Sequence, residues 1–370
     1  MKHTIFPLYL ILCLLLSACG ARKQSSSPES EGDTLTLKYA KNLCIVKYND
    51  YTLATLRNPW DTTKVLRTYI LTDKSKPQPS SLPQGTLVQV PLSRSLVYSS
   101  VHCSLLDELE AVNQIKGICD LSYISIPSIQ EGCRSGKITD AGNSMSPDIE
   151  KIIDMHPDAI LLSPYENSNG YGRIEKLNIP IIECADYMET SPLGRAEWMR
   201  FFGLLYGCEH KTDSLFAQVE KEYSDIKSKT SSLSERPSVF SELKIGSTWY
   251  VAGGNSTTSR FFADAGARYV FSQLPQSGSV ALSAEVVLDK AQDADFWLIK
   301  YNQDKDKTYT ELKKEDVLYA QFEAFKNRQI YGCNTHYIRF YEESPFHPEY
   351  LLKDLSLIHI SEPTRQEAIS

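Results

Sequence analysis

Residues Asp140 to Pro164, D-A-G-N-S-M-S-P-D-I-E-K-I-I-D-M-H-P-D-A-I-L-L-S-P, constrain the fold more than any other stretch of the chain. Their order predicts a turn, a short helix and a buried strand. Pro147 suits a first helical turn, where its missing N–H would be unpaired anyway. Ser146 is the expected cap, with Asp148 and Glu150 placing negative charge at the positive end of the helix dipole. Ile149, Ile152, Ile153 and Met155 supply an apolar face. His156-Pro157 stops the helix, because the residue before proline avoids the helical region. The run Ala159 to Leu162 has no polar alternation, as expected of a strand covered on both faces. A second copy of this grammar spans Leu282 to Ile299, with Ser283 as cap, Glu285 in the first turn, and Phe296 to Ile299 as the strand. In both copies an Asp follows the Glu by about one helical turn (Asp154, Asp289). Two such units, one in each half of the chain, predict an α/β protein with two lobes.

The remaining elements fit β-α alternation. Leu35 to Leu56 alternates around an Asn49-Asp50 turn and predicts a β-hairpin. Strands are expected at Tyr69–Thr72, Thr86–Val90, Leu96–Tyr98, Lys116–Asp120 and Pro180–Cys184, with a helix at Ser104–Val112. Short connections of this kind favour a mainly parallel sheet. Between Leu193 and Ser228 there is no proline. There Gly194–Tyr206 and Thr212–Lys229 carry helical spacing, the second through Leu215, Val219, Tyr223 and Ile226. Pro237 opens the second lobe. Strands follow at Val239–Ile245, Trp249–Ala252 and Arg328–Tyr331, with helices at Thr257–Gly266 and near Gln321–Lys326, and a loop from Thr335 to Pro348. Gly253-Gly254 before a helix is no dinucleotide fingerprint, since the third glycine spacing and the following acidic residue are absent.

The chain begins with a targeting segment. Lys2 and His3 precede the apolar run Ile5 to Leu16, which is too short to span a bilayer comfortably. Leu16-Ser17-Ala18-Cys19 resembles the bacterial lipobox, so Cys19 is the expected lipid anchor and new N-terminus. No dense acidic run follows it, which favours a membrane-anchored protein facing the periplasm. Residues 20–34 are Ser-rich and aperiodic, a tether. A net charge of −7 and a pI near 5.6 argue against nucleic acid as partner.

Of nine cysteines, Cys13 leaves with the signal and Cys19 takes lipid, which leaves an odd number. None forms C-x-x-C, and none stands near a His pair at zinc-site spacing. Most are expected as buried free thiols, with room for one disulfide such as Cys119 with Cys133. No G-x-S-x-G elbow, no H-E-x-x-H and no Ser/His/Asp grouping is present, so an enzyme is not expected.

The lipobox, the G-x₄-P-x₂-E run with its downstream P-D-A-I, the long connector, W-Y-V-A-G-G-N-S and A-D-A-G-A together resemble the periplasmic binding proteins of iron–siderophore, haem and cobalamin ABC importers. The resemblance covers residues 35–354. It implies two Rossmann-like α/β lobes, 35–190 and 233–354, joined by connecting helices at 191–232, one of them long and rigid. The ligand then lies between the lobes and is bound rather than transformed. It also implies that Glu150 and Glu285 dock onto arginines of the membrane permease. The loops after the strands would line the cleft through Ser99, Ser100, Tyr123, Tyr165, Trp249, Tyr250, Arg260, Arg339, Phe340 and Tyr341. Aromatic rings suit flat conjugated ligands, and the arginines suit carboxylates. The expected protein is a monomer with no resident cofactor or metal, whose ligand carries any Fe or Co. Its partners are the permease and ATPase, a metal chelate, and the membrane through the lipid. The alternatives are a lipid-anchored hydrolase or a scaffold protein. Finally, Leu355 to Arg365 (L-S-L-I-H-I-S-E-P-T-R) resembles translated sequencing-library adapter, so residues 355–370 are expected to be non-native.

Overall fold

The computed structural model describes residues 32–166 and 170–360, the last four of these by backbone alone. The signal segment, Cys19 and most of the tether therefore lie outside the described residues, as do residues 361–370.

Residues from Asp33 onward form one compact unit. Its entrance is a five-stranded sheet in the order β1-β2-β3-β4-β5, formed by β1 (Asp33–Leu35), β2 (Leu43–Lys47), β3 (Thr52–Arg57), β4 (Val65–Asp73) and β5 (Thr86–Val90). The β2–β3 hairpin turns at Asn49-Asp50, as its alternation requires, and β5 joins β4 in parallel. Two buried carboxylates pin the segment between β1 and β2. Glu197 accepts the backbone N–H groups of Lys38, Tyr39 and Ala40, and Glu189 accepts those of Lys41 and Asn42 plus the Trp198 indole N–H. Amides that would otherwise be buried unpaired are satisfied this way.

A five-stranded parallel sheet follows in the order β12-β11-β6-β7-β8. Its elements in chain order are β6 (Ser95–Val97), α1 (Ser100–Glu108), β7 (Ile115–Ile118), α2 (Pro127–Arg134), β8 (Thr139–Asp140), the small hairpin β9 (Gly142–Asn143) and β10 (Ser146–Pro147), α3 (Ile149–Met155), β11 (Ala159–Leu162) and β12 (Ile181–Glu183). β11 is buried at all four positions, as its unbroken apolar run predicts. The start of α3 differs from expectation. Ser146 and Pro147 pair with Asn143 and Gly142 across the hairpin, and Asp148 is the cap, accepting from the N–H groups of Glu150 and Lys151 at 3.1 and 3.2 Å. Proline fits a two-residue edge strand because it has no N–H to leave unpaired there.

Three helices follow, α4 (Pro192–Glu197), α5 (Met199–Tyr206) and the 23-residue α6 (Glu209–Ser231). Gly207, at φ 69°, ends α5 in the left-handed region open to glycine. The second half continues with β13 (Ser238–Ser241), β14 (Lys244–Ile245), β15 (Thr248–Ala252), α7 (Thr257–Asp264), β16 (Arg268–Tyr269), β17 (Ser279–Ser283), α8 (Ala284–Ala291), β18 (Phe296–Tyr301), α9 (Tyr309–Glu315), α10 (Glu323–Lys326), β19 (Ile330–Asn334), α11 (Phe340–Glu343) and α12 (Pro348–Ile360). A parallel sheet, β16-β13-β18-β19, carries an antiparallel ribbon, β14-β15-β17, beside it. Ser283 caps α8 as expected, accepting from Val286 N–H.

The Val239–Ile245 strand is broken in two. Glu242, at φ 74°, ends β13 and redirects the chain into β14. The loop expected from Thr335 to Pro348 contains α11, which packs on α1. α12 packs against α6 and runs through Asp354 to Ile360, with Leu355 in the core. All seven described cysteines are free thiols, Cys119 and Cys133 among them. No described helix is long and apolar enough to cross a membrane.

Candidate functional site

In each parallel sheet the first strand lies inside and the chain winds outward both ways, from β6 to β7 and β8 on one side and to β11 and β12 on the other. The loops leaving β6 and β11 therefore diverge, and a crevice opens at the carboxyl ends of the strands. A cavity of about 560 Å³ lies there. Tyr98 and Ser99 enter it from the end of β6, and Leu162, Ser163 and Tyr165 from the end of β11. The β9–β10 hairpin contributes Ser144 to Pro147 as one wall, and Gly170 to Ile174 form another.

The hairpin wall is held from behind. Asp120 follows β7 in the left-handed conformation (φ 55°, ψ 43°), unusual for a residue with a side chain. Its carboxylate accepts the Ser144 N–H at 3.1 Å, and its own N–H donates to the Gly142 carbonyl at 2.8 Å. Asn143 accepts the Met145 N–H at 2.9 Å, and Met145 at the tip is 82% exposed. At the back, burial raises both the Tyr98 hydroxyl and the neighbouring Cys119 thiol, the latter to about 12, so both stay neutral and inert. On the opposite wall Gly170 (φ 98°) and Gly172 (φ 63°) take backbone shapes that favour glycine. Tyr171 between them donates its hydroxyl to Glu183 and its N–H to Glu175. Arg173 is exposed, and the described residues offer it no ion pair or hydrogen bond.

The lining is mixed in character. It mixes four serine hydroxyls and two further tyrosines with Met145, Pro147, Ile149, Leu162 and Ile174. Among the described residues it holds no nucleophile beside a base, and among them no group of three or more metal-ligating side chains occurs.

Of the residues expected in the cleft, Ser99 and Tyr165 meet in this cavity. Ser100 opens α1 but does not line it. Tyr123, Tyr250 and Tyr341 are exposed elsewhere, and Arg260 is exposed on α7. Arg339 is engaged by Glu343 at 2.8 Å, and Phe340 lies under the Lys300 ammonium, 5.5 Å from its ring centre. Trp249 corrects the expectation. It has no exposed surface, packs against Phe240, Trp297, Tyr319 and Phe322, and donates its indole N–H to the Ser241 carbonyl. Alternation along β15 turns Trp249 and Val251 inward and Tyr250 outward. Sequence reading missed Tyr98, Ser144, Met145, Ser163 and Arg173. The strand-end rule would have found Ser163, and the paired glycines would have marked Arg173. Glu150 and Glu285 are both exposed in the first turns of their helices, and hydrogen bonds from the Ser283 side chain and the backbone lower the Glu285 carboxyl.

Comparison with known proteins bears on the fold and the family. The family model described as "Periplasmic binding protein" matches residues 105–337. An uncharacterized lipoprotein of Methanocaldococcus jannaschii is 28% identical over 362 residues, covering 87% of this chain and 85% of the relative. Three solved structures share the fold. They are an ABC-type Fe3+-hydroxamate transport protein of Saccharomonospora viridis (TM-score 0.57, 15% identity, 73% and 94% of the two chains), S. aureus IsdE complexed with heme (0.56, 17%, 72% and 98%), and the periplasmic vitamin B12 binding protein BtuF of Vibrio cholerae (0.52, 14%, 72% and 96%).

Proposed function

This chain belongs to the periplasmic binding protein family, and from that premise we propose that it captures a metal chelate and passes it to an ABC permease. The chelate is a ferric siderophore, a haem or a cobalamin, and the protein itself binds without transforming it. The observation that carries this reading is the cavity of about 560 Å³ at the strand-order reversal. It falls within the range of about 300–1,000 Å³ common to small-molecule sites. Its serine and tyrosine hydroxyls suit the oxygen-rich rim of such a chelate, and its aliphatic wall suits a flat organic frame.

The anchor in this reading is Cys19, which holds the protein at the membrane surface facing the periplasm. Glu150 and Glu285, exposed on α3 and α8, orient it on basic groups of the permease, and α6 is the stiff joint between lobes 35–190 and 233–354. The test is isothermal titration of the chain lacking residues 1–19 with haemin, cyanocobalamin and a ferric hydroxamate. Saturable one-to-one binding of one of them is expected. Silence with all three would remove the chelate reading.

A further inference from the structure

We propose that the entrance sheet docks on anionic lipid headgroups through a basic end built around the β3–β4 turn. The inference goes beyond the binding reading above. It rests on the membrane anchor proposed there, and not on what the cleft carries. The sheet lies before residues 105–337, which match the family. Residues 33–90, which form it, hold eight Lys and Arg against four Asp and no Glu, while the whole chain carries −7. Four of those cations meet at one end of the sheet. Arg57 closes β3, and its N–H donates to the Asn42 carbonyl, next to Lys41, at 2.9 Å. Strand register sets Arg57 across from Val65 and Leu56 across from Arg67. The Asn58 N–H donates to the Lys64 carbonyl at 2.9 Å and closes the turn. Lys41, Arg57, Lys64 and Arg67 are all exposed. Among the described residues, Lys41 and Arg57 form no ion pair. The carboxylates paired with the other two are Asp61, 2.8 Å from Lys64, and Glu183, 3.1 Å from Arg67.

The turn between these strands is preformed and carries the residue types of a membrane interface. Asn58 accepts the N–H groups of Trp60 and Asp61 at 2.9 and 3.1 Å, and Asp61 accepts the Thr63 N–H and hydroxyl. The half-buried Trp60 and Val65, which is 58% exposed, thus stand among the cations. Indole rings settle at headgroup depth, and clustered Lys and Arg are drawn to an anionic surface. The exposed Lys64–Asp61 pair is weak and costs little to open. The thirteen residues between Cys19 and Asp33 can span at most about 45 Å. The five-residue β2 is roughly 17 Å long, so a chain anchored at Cys19 and entering at the far end of the sheet can bring this end to the membrane. A lipid chain and a basic patch together hold a protein more firmly than either alone. The tether and the interfacial tryptophan favour lipid over an acidic protein surface.

The experiment mixes the chain lacking residues 1–19 with vesicles of phosphatidylcholine alone or of phosphatidylcholine and phosphatidylglycerol in equal parts. Binding is read by co-sedimentation and by tryptophan emission. Trp198, Trp249 and Trp297 have no exposed surface, so a blue shift reports on Trp60. Binding with a blue shift is expected on the anionic vesicles and not on the neutral ones. The triple variant Lys41→Gln, Arg57→Gln, Lys64→Gln should bind about tenfold or more weakly. The triple variant Lys305→Gln, Lys313→Gln, Lys314→Gln removes the same charge from exposed positions of the other half and should bind as the unaltered chain does. Retained thermal melting excludes unfolding as the cause. Should the first triple variant melt early, the single variants Lys41→Gln and Arg57→Gln, which break no ion pair among the described residues, should each weaken binding several-fold. Equal loss in both triple variants would make net charge the cause and overturn the proposal. Failure of the unaltered chain to bind anionic vesicles would also overturn it, and would leave the patch to an acidic protein surface. No chelate enters this test, so its outcome is independent of the titrations above.

Discussion

A Cβ added at Gly254 would lie 2.1 Å from the Ser272 carbonyl oxygen and 2.6 Å from that of Leu274, both backbone atoms that cannot swing aside. Gly254→Ala should therefore cost about 1–3 kcal/mol of stability by overpacking, read as a lower melting temperature. Gly278→Ala, where a Cβ would meet nothing within 4 Å, should leave it nearly unchanged. Equal melting of the two variants would contradict this packing. Trp249 belongs to the same scale. Its truncation to Ala should cost about 3–5 kcal/mol in chemical denaturation, as for other large core residues. Period-two alternation places Trp249 and Tyr250 on opposite faces of β15. The direction of each was not legible, because it depends on which side of the ribbon the helices and the parallel sheet cover.

At the scale of elements, His347 joins α1 to the start of α12. Its Nε2 lies 2.7 Å from a Glu108 carboxylate oxygen and its Nδ1 lies 2.7 Å from one of Glu349, while its ring stacks on Tyr350. Burial opposes the charged imidazolium, yet the two carboxylates outweigh it and raise the group from 6.5 to about 10. A histidine raised on folding contributes its full stabilisation below the unfolded value and loses it as the pH climbs through the folded one. Stability from this triad should thus be complete below pH 6.5 and decline towards pH 10, and His347→Gln should flatten that part of the profile. A wild-type profile as flat as the variant's would refute the triad. A second element-scale case is α9, where Thr308 and Glu311 form a reciprocal capping box. Thr308→Ala should cost about 1 kcal/mol, measured by the urea midpoint. The T-x-x-E signal was present in the sequence, but the charged run before it hid the short helix that it starts.

Across the whole molecule, one hydrophobic core cluster includes residues of both halves, and specific polar contacts add to it. Glu342 on α11 accepts the Ser125 N–H and hydroxyl at 3.1 and 2.7 Å. Thr257 donates its hydroxyl to the Glu189 carbonyl at 2.9 Å. Phe346 packs against His102 and Phe202, which also touch each other, and His102 in turn meets Asp186, which Arg195 also holds. If Glu150 and Glu285 are the docking charges, reversing both to Lys should abolish stimulation of the importer's ATPase. Ligand affinity should stay unchanged, because both side chains are exposed and outside the cavity, while the melting temperature should fall slightly as two first-turn charges turn against their helix dipoles. Undiminished stimulation by the double variant would remove the docking role.

Much of this protein is local and therefore readable from the chain. Capped helices feeding buried strands, at Ile149–Leu162 and Ala284–Tyr301, reveal the α/β alternation, since capping and periodicity act over a few residues. Ser99 and Tyr165 were legible for the same reason, because each closely follows a strand end. The strand order β12-β11-β6-β7-β8 was not. It depends on pairings between strands far apart in sequence, which only the packed sheet selects. That order sets the loops after β6 and β11 on either side of one crevice. It gathers Ser99, Arg173 and the β9–β10 hairpin around one cavity, while packing in the other half buries Trp249.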